Sequence, residues 1–218
     1  MDLVDSWLSL CQSQGARGDL SGVGGRLLAA YGAPDRIYHD LRHLADVLTR
    51  VDELAGEAAD PDLVRLAAWF HDAVYATAPE PGQATCEERS ATLAERELRG
   101  IGVPAPARAE VARLVRLTAS HAPAGGDRNG AVLCDADLAV LARDPAGYQA
   151  YASDVRREYA AVPDALFRAG RASILRTLLE APALFSTRRG QSWEVLARGN
   201  MAAELAALAG PGARKQSE

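Results

Sequence analysis

The stretch Leu41-Arg42-His43-Leu44-Ala45-Asp46-Val47-Leu48-Thr49-Arg50-Val51-Asp52-Glu53-Leu54 decides the fold. Leu41, Leu44, Val47, Leu48, Val51 and Leu54 recur in steps of three and four, the spacing that turns one face of an α-helix toward a core. Similar stripes appear in Leu63, Leu66, Ala67 and Phe70, in Val111, Leu114, Val115 and Leu117, and in Leu166, Ile174, Leu175, Leu178 and Leu179. Alanine, leucine, glutamate and arginine dominate the chain, and all four are good helix formers. Period-two runs of β-branched and aromatic residues are nearly absent, so the chain reads as all-α.

Helix-breaking residues divide this pattern into successive helices. Asp60-Pro61 offers an N-cap with proline at the first helical position. Gly100, Gly102 and Pro104 break one helix and Pro106 opens the next. Residues 123–130 read as a loop, and so do residues 77–85, with two prolines and Gly82. Asp144-Pro145 and Pro163-Asp164 start two later helices, and Gly210-Pro211-Gly212 ends the last. No internal repeat or composition break interrupts the chain, so residues 1–210 are expected to form one domain and residues 211–218 a flexible tail.

The 218 residues suffice for a good core, and 48% apolar with 24% charged residues is ordinary for a soluble protein. Net charge is −5 with pI about 5.5, which offers no basic field for a nucleic-acid polymer. Cys11, Cys86 and Cys134 share no CxxC spacing, so they suggest neither a disulfide framework nor a thiolate zinc site, and they fit a reducing compartment. The acidic start lacks the basic flank of a secretory signal, and no apolar run reaches the length of a spanning helix. A cytoplasmic protein without membrane partners is the expectation.

All four histidines lie in the first 121 residues. His39 and His43 stand four apart, which on a helix places both rings on one face. His71 and Asp72 are adjacent, so they diverge on a regular helix and can share a metal at a helix end. The residues that follow, Ala73 to Thr77, lose helical patterning and mark such an end. His121 comes later, then Asp135 and Asp137, with Asp137 entering an apolar stretch where a carboxylate needs a cation or several hydrogen bonds. Imidazole and carboxylate in this grouping point to a divalent metal site.

The order His, His-Asp, Asp in a helical chain resembles the HD superfamily of metal-dependent phosphohydrolases. Within it, Tyr38-His39-x-x-x-His43, Trp69-Phe70-His71-Asp72-x-Val74-Tyr75, Glu87-x-x-Ser90-Ala91, Thr118-x-x-His121 and Asp135-x-Asp137-Leu138 look like a bacterial subgroup of predicted HD phosphohydrolases. Arg156-x-Glu158-Tyr159, Gly170-Arg171 and Arg198-Gly199-Asn200 fit the same subgroup, and the resemblance spans roughly residues 30 to 205. One departure is Cys86, where that pattern carries asparagine.

The resemblance implies a single HD-type helical domain. It also implies a metal held by His43, His71, Asp72 and one late aspartate, Asp137 ahead of Asp135. The ion would be Mn, Co, Ni, Fe, Mg or Zn, with mixed nitrogen and oxygen ligands favouring Mn, Co, Ni or Fe over Mg. Water activated beside Asp72 would attack a small phosphorylated metabolite, or a nucleotide. Glu87 or Glu88 would serve as acid or base, His121 and His39 would orient water or phosphate, and Arg42 would grip a phosphate oxygen. Arg156 or Arg171 would add positive charge in the cleft, and Glu158 would brace the later helices by pairing with an arginine. Trp69 and Phe70 read as core. Two other readings are an HD-type di-iron oxygenase, for which His121 is the only extra histidine between the His-Asp pair and the late aspartate, and a catalytically silent metal- or nucleotide-binding module.

Overall fold

The computed structural model describes residues 2–78 and 82–209; residues 79–81 of the expected 77–85 loop and the expected tail at 211–218 lie outside them. Among the described residues the chain is all-α, with ten α-helices and no strand. It divides into two compact units, Met1–Asp137 and Leu138–Glu218.

The first unit holds α1 (Leu3–Ser13), α2 (Leu20–Tyr31), α3 (Leu41–Leu54), α4 (Pro61–Phe70), α5 (Cys86–Gly100), α6 (Ala105–Leu117) and nearly all of α7 (Arg128–Leu138). α4 is its centre and packs against α1, α3, α5 and α6. Asp60 caps it through the Leu63 N–H, and Pro61 supplies a ready-made first turn. From Leu66 to Phe70 every residue is buried, as expected of a helix that is apolar all round. Trp69 and Phe70 pack edge-on against Trp7 of α1, with ring centroids 5.3 and 6.0 Å apart. α2 approaches so closely that a Cβ at Gly24 would sit 2.5 Å from the Trp7 ring, which is why glycine stands there.

α3 follows its stripe: Leu44, Val47, Leu48, Val51 and Leu54 are buried. α7 begins earlier than the expected loop allows, because Asp127 accepts from the Gly130 N–H and closes its first turn. Asn129 then ties α7 to its neighbours. Its side-chain oxygen accepts from the Ala59 and Asp60 N–H groups at 3.0 and 2.8 Å, and its amide donates to Glu110 of α6.

The second unit holds α8 (Pro145–Glu158), α9 (Asp164–Glu180) and α10 (Glu194–Ala209). Pro145 starts α8 as expected, with Asp144 as its cap. α9 departs from its stripe: Leu166 and Ile174 are exposed, while Arg171, Ala172 and Leu175 face inward. The reason is ionic. Arg171 donates to both carboxylate oxygens of Glu204 on α10 at 2.8 and 2.9 Å and to the Tyr151 hydroxyl of α8 at 3.0 Å. No helix among the described residues is long and apolar enough to cross a membrane.

Candidate metal centre

α4 ends where its chemistry begins. The helix stops at Phe70, and His71 becomes its C-cap. His71 Nδ1 donates to the Ala68 carbonyl at 2.8 Å, which fixes the tautomer and leaves a lone pair on Nε2. The Tyr31 hydroxyl lies 3.5 Å from that Nδ1 and accepts from the Asp72 N–H at 3.2 Å. Arg36 pins the turn from below by donating to the carbonyls of His39, Asp72 and Ala73 at 3.2, 2.6 and 3.1 Å. Its guanidinium also lies over the Tyr31 and Tyr75 rings. Two adjacent residues that diverge on a regular helix are thereby turned toward one point.

Two further helices complete the set. Asp40 caps α3 by accepting from the Arg42 and His43 N–H groups, which places His43 in the first turn. Asp137 stands in the last turn of α7. His43, His71 and Asp137 converge, and Asp72, which is not part of that three-residue group, approaches both histidines. His43 Nε2 and His71 Nε2 are 3.1 Å apart. Asp72 Oδ2 lies 3.1 Å from His71 Nε2 and 3.5 Å from His43 Nε2. Asp137 Oδ1 lies 3.3 Å from His43 Nε2 and 3.6 Å from His71 Nε2.

The ligand atoms of His43, His71 and Asp137 lie within 4.8 Å of one another, a group able to hold a metal ion. The spacing fits. Ligand bonds of about 2.1 Å at right to tetrahedral angles put donor atoms about 3.0–3.4 Å apart. The charges fit as well. Two carboxylates beside two imidazoles, withdrawn from water, need a cation among them.

Without one, protons take its place. Burial works to lower the pKa of His43, but the hydrogen bonds and charges of Asp137 and Asp72 outweigh it and push it up to about 10. The same contest raises His71. Burial works against the charge of Asp72, yet His71 and His43 hold it well below the usual carboxylate range. Asp137 is held low in the same way by His71 and His121.

No family model, curated protein or solved structure matches this chain. The centre therefore stands on its geometry.

That geometry separates the sequence candidates. Asp135 is fully buried on α7, but it lies two residues from Asp137, about 200° round the helix. Of the two, Asp137 is the one that joins the histidine pair, with Oδ1 3.3 and 3.6 Å from their Nε2 atoms. His121 reaches Asp137 from the end of α6, with Nε2 2.8 Å from Oδ2. His39 stacks on Tyr75 at 4.1 Å and lies 5.6 Å from the His43 ring. Glu87 is half-buried in the first turn of α5. That end of α5 is tied to the segment after Asp72, because Ser90 Oγ accepts from the Val74 N–H and donates to the Val74 carbonyl.

Other candidates are engaged elsewhere. Glu88 forms a two-pronged pair with Arg116 at 2.7 and 2.9 Å, which lowers its pKa and suits a brace between α5 and α6 better than proton transfer. Arg42 is bound to Asp40 and to the Ile37 carbonyl, where it reinforces the cap of α3. Arg171 is committed to Glu204 and Tyr151, and Arg156 donates to the Tyr159 and Val162 carbonyls. Sequence reasoning missed Tyr31 and Arg36 entirely. Their acceptors and donors are backbone groups some 40 residues away, and backbone groups leave no mark in a sequence.

Proposed function

We propose that the chain is a metal-dependent phosphohydrolase of the HD type, acting on a small phosphorylated metabolite or a nucleotide. The observation that carries this reading is the convergence of His43, His71 and Asp137, with Nε2 and Oδ1 atoms 3.1–3.6 Å apart, and the approach of Asp72 to both histidines at 3.1 and 3.5 Å. A divalent ion of the Mn, Co, Ni, Fe, Mg or Zn kind supplies Lewis acidity there, acidifying water and polarising a phosphoryl oxygen.

The chain's own groups do the rest. The histidines form the floor, with side chains 4% and 1% exposed, and the carboxylates form a more open rim at 18% and 15%. Substrate enters over that rim. Asp72 accepts a hydrogen bond from the attacking water and orients it, and Glu87 delivers a proton to the leaving oxygen. His39, held flat against Tyr75, donates to a phosphate oxygen.

Two measurements test the proposal. Metal analysis of the purified protein is expected to give about one ion per chain, lost in His71→Ala and in Asp72→Ala. A panel of nucleotides and phosphate esters with Mn²⁺, Co²⁺ or Ni²⁺ is expected to yield free phosphate with the wild type alone. Metal retained by both variants would sink the site. Metal bound but no ester hydrolysed would sink the chemistry.

A further inference from the structure

His121 is the one described residue other than glycine with a positive φ, at 49°. It occupies the left-handed position just past α6, where its N–H bonds back to the Leu117 carbonyl. Glycine usually takes that place, because a Cβ is strained there. Ser120 Oγ and Thr118 Oγ1 bond back to carbonyls of α6 and stiffen the same turn. A strained imidazole held this firmly points to work done by its side chain.

That side chain touches one half of one carboxylate. His121 Nε2 donates to Asp137 Oδ2 at 2.8 Å, while Asp137 Oδ1 faces His43 and His71. We infer that His121 is a positioning residue: it occupies Oδ2 so that Asp137 offers the metal a single oxygen and leaves coordination positions open for water and substrate. This rests on the metal reading above and reassigns His121 from the substrate to the ligand. A carboxylate freed of this bond can turn and bind an ion through both oxygens. A ligand held by a partner outside the coordination sphere commonly loses 10–100-fold in metal affinity when that partner is removed.

The test compares wild type with His121→Ala, His121→Gly and His121→Gln, the last of which restores an N–H at similar reach. Co²⁺ titration is expected to show about 10–100-fold weaker binding in the alanine and glycine variants, and recovery of most of the loss in the glutamine variant. The visible Co²⁺ spectrum should weaken in the alanine variant as Asp137 adds its second oxygen. The glycine variant should melt above the alanine variant when metal-free, while matching its Co²⁺ affinity, which separates backbone strain from side-chain role. The inference is overturned if His121→Ala binds Co²⁺ as tightly and with the same spectrum as wild type, or if glutamine recovers nothing. It is also overturned if the Nε2 proton of His121 is lost when Zn²⁺ binds, since the ring would then be a ligand itself. His71→Ala is the control. If it binds Co²⁺ as well as wild type, the metal site fails and the positioning role falls with it; if it loses Co²⁺ while His121→Ala does not, only the positioning role fails.

Discussion

Each unit of the chain holds a largely buried ionic cluster, and the two clusters are built to opposite rules. In the second unit the cation is part of the chain. Arg171 spreads its guanidinium over Glu204 and Tyr151, and the Tyr148 hydroxyl donates to the same carboxylate. Donors and acceptors match, and the cluster is closed. In the first unit the ion pairs of Asp72 and Asp137 among the described residues are with imidazoles, whose charge depends on a proton. That cluster is open, and on the metal reading proposed above the cation that satisfies it would come from outside. A closed cluster braces helices, whereas an open one has room for a ligand.

The largest expected effect would break the closed half of this comparison. Arg171→Met leaves the half-buried Glu204 without its cation and should cost about 3 kcal/mol in urea unfolding, the low end for a buried pair. Adding Glu204→Leu should recover most of that loss, since removing both charges removes the unpaired one. Metal binding should be unchanged in both variants. A single substitution that costs nothing would show that the pair is not a brace.

pH sharpens the open half. In the metal-free protein His43 titrates at about 10 rather than 6.5, so its contribution to stability is complete below pH 6.5 and is lost as the pH climbs toward 10. Asp72 and Asp137 are depressed, so their contribution is present above the ordinary carboxylate value of 3.8 and is lost as the pH falls below it. With metal the decline above pH 6.5 is cancelled, because the ion displaces the His43 proton and its affinity rises up to about tenfold per pH unit for each proton released. Melting curves of EDTA-treated and Mn²⁺-loaded protein between about pH 5 and 9 should therefore diverge as the pH rises. Parallel curves would mean that His43 does not bind the ion.

The smallest effect concerns how α3 presents His43. Asp40→Ala removes the cap that accepts from the Arg42 and His43 N–H groups and should cost about 1 kcal/mol. Co²⁺ affinity should fall as the first turn frays, by less than in His121→Ala. A loss of stability with no change in affinity would separate the cap from the site.

The limits of the sequence follow the same division. The α3 stripe and the Asp60-Pro61 and Asp144-Pro145 starts were legible, because periodicity and capping are local properties. The α9 stripe misled, because the burial of Arg171 depends on Glu204, 33 residues away. At the site, the grouping of His43, His71 and Asp72 was visible as residue type and spacing. Asp137 over Asp135 became clear only from the phase of α7, and Glu88 left the list only when Arg116 proved to hold it.

What the sequence determined by itself was an all-helical chain and a short list of metal-binding groups, since helix period, caps and side-chain chemistry are written residue by residue. Tertiary structure alone decided which of those groups meet and which positions hold them there. The turn of His71 and Asp72 onto one centre depends on Tyr31 and Arg36 binding backbone groups, and the aim of Asp137 depends on His121 at the end of another helix. Distances of 3 Å between residues 28 to 94 apart are set by how helices pack, and no local pattern encodes them.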